Sequence, residues 1–152
     1  METRSSFTKV ILLVEDNEDD IALTIRALNK NNLANDLVVV RDGAEALDYL
    51  FARGEFAGRD PSDLPQLVLL DLKLPKLGGL EVLKTLRSDS ATRYVPVVVL
   101  TSSDEEDDMI RSYDGGANSF VQKPVNFDDF VEAARQLGLY WLLINRTPEI
   151  GP

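Results

Sequence analysis

The stretch LVLLDLKLP (residues 67–75) decides the fold, because an uninterrupted apolar run there leads directly into a carboxylate, Asp71. A short run of this kind is typical of a strand buried on both faces, as in a parallel sheet that helices cover on either side. A carboxylate avoids an apolar interior unless it is paired. We therefore expect Asp71 to lie where a buried strand ends, at the edge of the core.

Strand-like runs and helical segments alternate along the chain. The apolar runs are residues 9–14, 36–41, 66–71, 95–101 and, more weakly, 118–123. Apolar residues with helical spacing lie between and after them, at 21–28, 47–51, 80–86, 109–113 and 127–141. This alternation predicts an α/β fold, a doubly wound five-stranded parallel sheet with helices on both faces.

The length of 152 residues and the absence of an internal repeat indicate a single domain, residues 1–152. We expect its core at about residues 9–141, a long surface loop at 52–65 and a C-terminal tail at 142–152. The first residues lack the apolar middle of a signal peptide, and no apolar stretch reaches the length of a membrane span. A cytoplasmic protein with no membrane partner is therefore expected.

Charge and composition exclude several kinds of function. The net charge of −10, from 26 acidic and 16 basic residues, repels nucleic acid and favours cations. The chain has no cysteine and no histidine, which excludes disulfides, thiolate nucleophiles and histidine bases or metal ligands. Any phosphate relay through a nitrogen atom must therefore come from a partner.

Polar residues fall at the ends of four of the predicted strands. In open α/β sheets the ligand site lies beyond the carboxyl ends of the strands. There the chain has Glu15 and Asp16, Asp71, Thr101 and Lys123. We expect these five residues to converge on one rim of the sheet.

These residue types together are suited to phosphoryl transfer. A cluster of carboxylates without histidine or cysteine suits Mg²⁺, which also removes the repulsion between the acids. Glu15 and Asp16 are placed to hold the metal, and Asp71 is the natural nucleophile. Lys123 and Thr101 add an ammonium and a hydroxyl that can bind phosphoryl oxygens.

Each residue alone also has a plainer explanation. Asp16 or Asn17 could cap a helix that starts near Glu18, and a Lys-Pro pair such as Lys123–Pro124 is commonly only part of a loop. The complete set at matching strand ends favours the functional interpretation.

Four motifs resemble the receiver domain of two-component response regulators. They are LLVEDNEDD (12–20), LLDLKLPKLGG (69–79), VVVLTSS (97–103) and FVQKPV (120–125), and the resemblance covers roughly residues 10–140. It implies the flavodoxin-like strand order 2-1-3-4-5. It also implies a protein that is not a conventional enzyme and catalyses only its own phosphorylation and dephosphorylation.

The resemblance implies a role for each site residue. Asp71 matches the aspartate that accepts a phosphoryl group from the phosphohistidine of a sensor histidine kinase. Glu15, Asp16, Asp71 and the main-chain carbonyl of Lys73 match the Mg²⁺ ligands. Thr101 and Lys123 match the hydroxyl and the lysine that bind the phosphoryl group.

Further positions match the conformational switch of the family. Phe120 matches an aromatic position that moves together with Thr101, and the surface that changes is the fourth helix, fifth strand and fifth helix. The Lys123–Pro124 bond is expected to be cis, and Pro75 and Gly79 match residues that shape the loop. The chain departs from many relatives in having Glu15 for Asp, and Phe120 lacks the hydroxyl of Tyr.

The chain ends soon after the fifth helix, so we expect a stand-alone receiver. Its long loop and the segment GLYWLLINRTP (138–148) are similar to small regulators paired with phytochrome-type histidine kinases. Six consecutive apolar residues, 139–144, cannot all face one side of a helix. This predicts a homodimer through the fifth helix and the tail; alternatively, the tail folds back on its own domain.

Three rival functions fit this sequence less well. An Asp-nucleophile phosphatase needs a second Asp two residues after the first, where this chain has Lys73. A nucleotide-binding domain needs a glycine-rich first loop, whereas residues 15–20 are EDNEDD. A docking module that works without phosphate is disfavoured by the complete set of site residues.

Overall fold

The computed structural model describes residues 10–31, 36–102, 105–123 and 127–137. Strands and helices alternate five times. The strands are β1 (Ile11–Val14), β2 (Leu37–Val40), β3 (Leu67–Leu70), β4 (Val97–Thr101) and β5 (Ser119–Gln122). The helices are α1 (Glu18–Lys30), α2 (Gly43–Leu50), α3 (Gly79–Ser88), α4 (Glu106–Asp114) and α5 (Phe127–Leu137).

All strand pairs are parallel, and the sheet order is β2-β1-β3-β4-β5. This confirms the doubly wound α/β fold and the strand order expected from the receiver resemblance. The strands β1, β3 and β4 are buried along their whole length. That burial explains why their sequences are apolar throughout and do not alternate.

Alternate residues of the strands build two separate cores, one on each face of the sheet. Leu12, Val14, Val68 and Leu70 pack on the side of α2 and α3. Their neighbours in sequence, such as Ile11 and Leu69, pack on the side of α1 and α5. Because successive side chains of a strand point to opposite faces, the position of a residue in the alternation tells which core it faces.

Helix α4 differs from the other helices in what it buries. It packs beside β5 and α3, and Ser112 is its fully buried side chain. The apolar residues that mark the helix in the sequence, Met109, Ile110 and Tyr113, are 36%, 48% and 50% exposed. The helix was predicted correctly, but its apolar stripe faces outward.

The predicted surface loop at 52–65 contains one short 3₁₀ turn, Gly54–Phe56. The guanidinium of Arg59 lies 4.2 Å from the ring centre of Tyr49 and donates hydrogen bonds of 3.0 and 2.7 Å to the Tyr49 carbonyl. The Phe56 ring meets the same tyrosine edge to face, with 5.1 Å between centroids. These contacts tie the loop to α2.

Several predictions fall on other parts of the chain. The cis bond before Pro124, the proposed interface at 139–144 and the tail at 142–152 lie outside the described residues. Within the described ranges, no helix has both the length and the apolar character to cross a bilayer.

Gly79 permits the close approach of α3 to the loop that follows β3. A Cβ atom at this position would lie 2.2 Å from the Asp71 carbonyl oxygen, and the Gly79 amide donates to the Leu72 carbonyl at 3.0 Å. We expect Gly79→Ala to lower the free energy of unfolding by about 1–3 kcal/mol, measured by urea denaturation.

Gly58→Ala is the matched control for this prediction, since a Cβ atom there would meet nothing within 4 Å. We expect its free energy of unfolding to change by less than about 0.5 kcal/mol. Equal stability of the two variants would contradict the close contact at Gly79.

Candidate functional site

The rim at the carboxyl end of the sheet is held by main-chain hydrogen bonds that continue the strand pairing. The amide of Glu15 donates to Val40 at 3.0 Å, and the amide of Asp71 donates to Val14 at 3.1 Å. The amide of Lys123 donates to the carbonyl of Thr101 at 2.8 Å. The backbone of each of these residues is therefore fixed to its neighbouring strand.

The strand alternation brings three of the polar side chains to the same side of the sheet. Each of Glu15, Asp71 and Lys123 directly follows a strand and continues the positions that face α1 and α5. Thr101 has the opposite phase and continues the positions that face α2 and α3. The charged cluster and the hydroxyl thus approach the rim from opposite faces.

The ammonium of Lys123 lies at the centre of the charged cluster. Its Nζ atom is 2.5 Å from Glu15 Oε1, 2.8 Å from Asp20 Oδ2 and 3.3 Å from Asp71 Oδ2. The side chains of Lys123 and Glu15 are only 6% and 3% exposed, so this contact is almost dry. One buried cation, directly after β5, therefore joins the first turn of α1 to the residues that follow β1 and β3.

Burial and mutual repulsion set the electrostatics of these groups. Burial raises the pKa of the Glu15 carboxyl from 4.5 to about 7; the Lys123 hydrogen bond opposes the shift, and the charge of Asp71 adds to it. Burial also acts to lower the pKa of Lys123, but hydrogen bonds to Asp20 and Glu15 outweigh it and raise that pKa. The lysine therefore stays protonated.

Main-chain amides hold the carboxylates in position. The amide of Asn17 donates to Glu15 Oε2 at 3.2 Å, and the amide of Lys73 donates to Asp71 Oδ1 at 3.3 Å. The Asp71 side chain is 9% exposed, which leaves it reachable from the rim but mostly surrounded by protein.

Thr101 and Phe120 both belong to the other face of the sheet. Thr101 is fully buried at the end of β4. Phe120 lies in β5 opposite Val99, is half-buried, and packs against the core beside α2 and α3. Its amide donates to the hydroxyl of Tyr113 on α4 at 3.3 Å.

Asp16 and Lys73 are exposed residues at the rim. The ion pairs around Lys123 join Glu15, Asp20 and Asp71 and do not include Asp16. In the part of the chain that the structure describes, no three acidic side chains are arranged as a ready metal site. Of the two residues expected as possible helix caps, Asn17 is confirmed, since its Oδ1 accepts a hydrogen bond from the Asp20 amide at 2.9 Å, and Asp16 is not the cap.

Comparison with known families matches residues 11–135 to the response regulator receiver domain. The chain belongs to that family. The receiver resembles the response regulator Rcp1 of Synechocystis sp. (38% identity over 93% of this chain and 95% of Rcp1), and the Mn²⁺-bound structure of Rcp1 superposes with a TM-score of 0.82.

Two further solved relatives of this receiver are phytochrome response regulators. The structure of phosphorylated RcpA, a cyanobacterial phytochrome response regulator, has a TM-score of 0.84 with 41% identity, covering 92% of this chain and 98% of RcpA. The bacteriophytochrome response regulator AtBRR has a TM-score of 0.73 with 54% identity, covering 91% of this chain and 98% of AtBRR.

Asp20 was not among the predicted site residues of this receiver, although its spacing in α1 carries a signal. Thr24 and Leu28 are buried in α1, and Asp20 precedes them at the same four-residue spacing. A carboxylate at the start of a buried helical stripe faces the sheet. The stripe is hard to recognise in the sequence because one of its members, Thr24, is polar.

The buried ion cluster of the receiver predicts that losing Lys123 is costly. Lys123→Met leaves the carboxylates of Glu15 and Asp71 adjacent without a counter-charge. In metal-free buffer with EDTA we expect the free energy of unfolding to fall by about 3–5 kcal/mol near neutral pH, measured by urea denaturation. Lys84→Met, at an exposed position of α3, is the control and should change little.

The loss should also depend on pH. The pKa of Glu15 in the folded protein is about 7, above its ordinary value of 4.5. The contribution of this carboxyl group to the free energy of unfolding is therefore complete below pH 4.5 and is lost as the pH rises through 7. The Lys123 ammonium lowers the pKa of Glu15, so its removal makes the ionised form of this carboxyl still less favourable in the folded protein. The Lys123→Met defect should therefore be larger at about pH 8 than at about pH 5, and a pH-independent defect would contradict it.

Proposed function

We propose that this receiver accepts a phosphoryl group on Asp71 from the phosphohistidine of a sensor histidine kinase, in a Mg²⁺-dependent reaction. The observation that carries the proposal is the position of Asp71: a mostly buried carboxylate at a strand end, in contact with the ammonium of Lys123 at 3.3 Å. The absence of histidine from the chain is consistent with a histidine donor on the partner.

The donor set of the rim fits a divalent cation. Glu15 and Asp71 both contact the same lysine nitrogen, so their oxygens lie close together, and the pKa of Glu15 is raised partly by that proximity. Oxygen ligands of this kind suit Mg²⁺. The side chains of Glu15, Asp16 and Asp71 and the carbonyl of Lys73 would hold it, and the Mn²⁺-bound form of Rcp1 supports a metal site in this family.

The side chains divide the transfer reaction between them. A carboxylate oxygen of Asp71 forms the new bond to phosphorus while the bond to the histidine nitrogen breaks, and its electrons stay with that nitrogen. Lys123 binds a phosphoryl oxygen and offsets its charge. When bound, Mg²⁺ supplies additional positive charge that stabilises the transferring group.

The switch follows from the burial of Thr101. Its side chain is fully buried on the face opposite the charged cluster, so its hydroxyl must turn toward the rim to bind a phosphoryl oxygen. The movement opens space beside β4 that the ring of Phe120 can enter. Phe120 and α4 are linked through Tyr113, so the surface formed by α4, β5 and α5 changes with phosphorylation.

We further propose a phytochrome-type histidine kinase as the partner. RcpA and AtBRR support this class of partner by their similarity over more than nine-tenths of the chain. A single-domain, cytoplasmic, stand-alone receiver that binds neither nucleic acid nor membrane remains our proposal. So does a homodimer through α5 and the apolar residues 139–144.

Phosphorylation of Asp71 is tested with Mg²⁺ and acetyl phosphate, followed by intact-protein mass spectrometry. We expect one added phosphoryl group in the native protein and none in Asp71→Asn. Asp107→Asn, an exposed acid in the first turn of α4, is the control and should still be phosphorylated. Omission of Mg²⁺ should abolish uptake, and equal uptake by native protein and Asp71→Asn would refute the assignment.

The Thr101 switch is tested by hydrogen exchange of the phosphorylated protein. Native protein should change its amide protection in β4, α4 and β5 on phosphorylation. Thr101→Ala should still accept the phosphoryl group but lose most of that change, because it lacks the hydroxyl. An unchanged response would contradict the coupling.

Sedimentation velocity of the same native samples tests the proposed homodimer. A monomer both with and without the phosphoryl group would exclude it.

A further inference from the structure

Among the partners of Lys123 in the described ranges, Asp20 is the one without a role in the proposed reaction. It belongs neither to the phosphoacceptor nor to the residues that would hold a metal. Its carboxylate nevertheless accepts a hydrogen bond from Lys123 Nζ at 2.8 Å, shorter than the 3.3 Å between that nitrogen and Asp71. An ammonium has three hydrogens to donate, and three carboxylates share them here.

The backbone of Asp20 is fixed from both sides. Its amide donates to Oδ1 of the helix cap Asn17 at 2.9 Å, and its carbonyl accepts the hydroxyl of buried Thr24 at 2.7 Å. The first turn of α1 therefore presents the carboxylate to Lys123 in a defined place. The side chain is 32% exposed, so its contact with the lysine is a partly screened ion pair.

We propose that Asp20 is a positioning residue that holds the Lys123 ammonium on the α1 side of the rim and competes for it with phosphorylated Asp71. This proposal rests on the proposed function. A phosphoryl group adds negative charge beside Lys123 and favours a shorter contact between the lysine and Asp71. Any movement of the ammonium in that direction lengthens its bond to Asp20.

The competition opposes the phosphorylated state. When Asp20 carries no charge, the Lys123 ammonium loses a weaker interaction as it moves toward the phosphoryl group. Removing that charge should therefore strengthen binding of a phosphoryl group at Asp71. A purely structural role for Asp20 predicts the reverse, a weaker site in a less stable protein.

The test compares Asp20→Asn with Asp19→Asn. Both substitutions remove one negative charge from the first turn of α1, so they change the net charge and the interaction with the helix dipole alike. Asp19 is exposed and takes no part in the ion pairs around Lys123. Any difference between the two variants therefore reports the contact with Lys123.

The first measurement is binding of beryllofluoride, a phosphoryl mimic, with Mg²⁺ by titration calorimetry. We expect Asp20→Asn to bind about tenfold more tightly than native protein, the effect of one charge-assisted hydrogen bond. Asp19→Asn should bind like native protein. Unchanged or weaker binding by Asp20→Asn would overturn the competition.

The second measurement uses metal-free protein in EDTA without any phosphoryl group. The side-chain ammonium of Lys123 is observed by ¹⁵N NMR, and its hydrogen exchange with water should accelerate in Asp20→Asn but not in Asp19→Asn. If native protein fails to bind beryllofluoride, the proposed function fails. The exchange measurement then decides alone whether Asp20 holds the lysine, and an unchanged rate overturns that role.

Discussion

The structure depends on a single buried ammonium. Lys123 lies among carboxylates from three separate parts of the chain, and it is as many as 108 positions away in sequence from the residues that it contacts. Glu15 and Asp71 repel each other, and burial would make this repulsion severe without a cation between them. The buried carboxyl groups of Glu15 and Asp71 can therefore lie near each other because the residue that follows β5 is a lysine.

Strand alternation divides the site into two halves. The carboxylates and Lys123 follow the phase that faces α1 and α5, while Thr101 and Phe120 follow the phase that faces α2 and α3. A shift of one residue in any of these strands would turn the polar residue at its end to the opposite face of the sheet. The pairing of the strands thus keeps the charged residues on one face and the proposed switch residues, Thr101 and Phe120, on the other.

The sequence was informative wherever burial on both faces imposed a pattern. The runs that became β1, β3 and β4 are apolar throughout, so their ends and the polar residues following them could be located. Asp20 was harder to locate, because it shares a helix face with the polar Thr24, whose burial the sequence does not reveal. The outward stripe of α4 also escaped prediction, since periodicity gives the width of an apolar face but not the side to which it turns.

The hydrogen bond between the Phe120 amide and the Tyr113 hydroxyl has a consequence for solubility. In the described sheet β5 is one of the two edge strands, with β4 as its neighbour. An outermost strand offers unpaired amides as a template for another chain, and proteins commonly block such templates to avoid aggregation. The Tyr113 hydroxyl accepts a hydrogen bond from one of these amides, so a side chain of the same domain makes that amide unavailable to another chain.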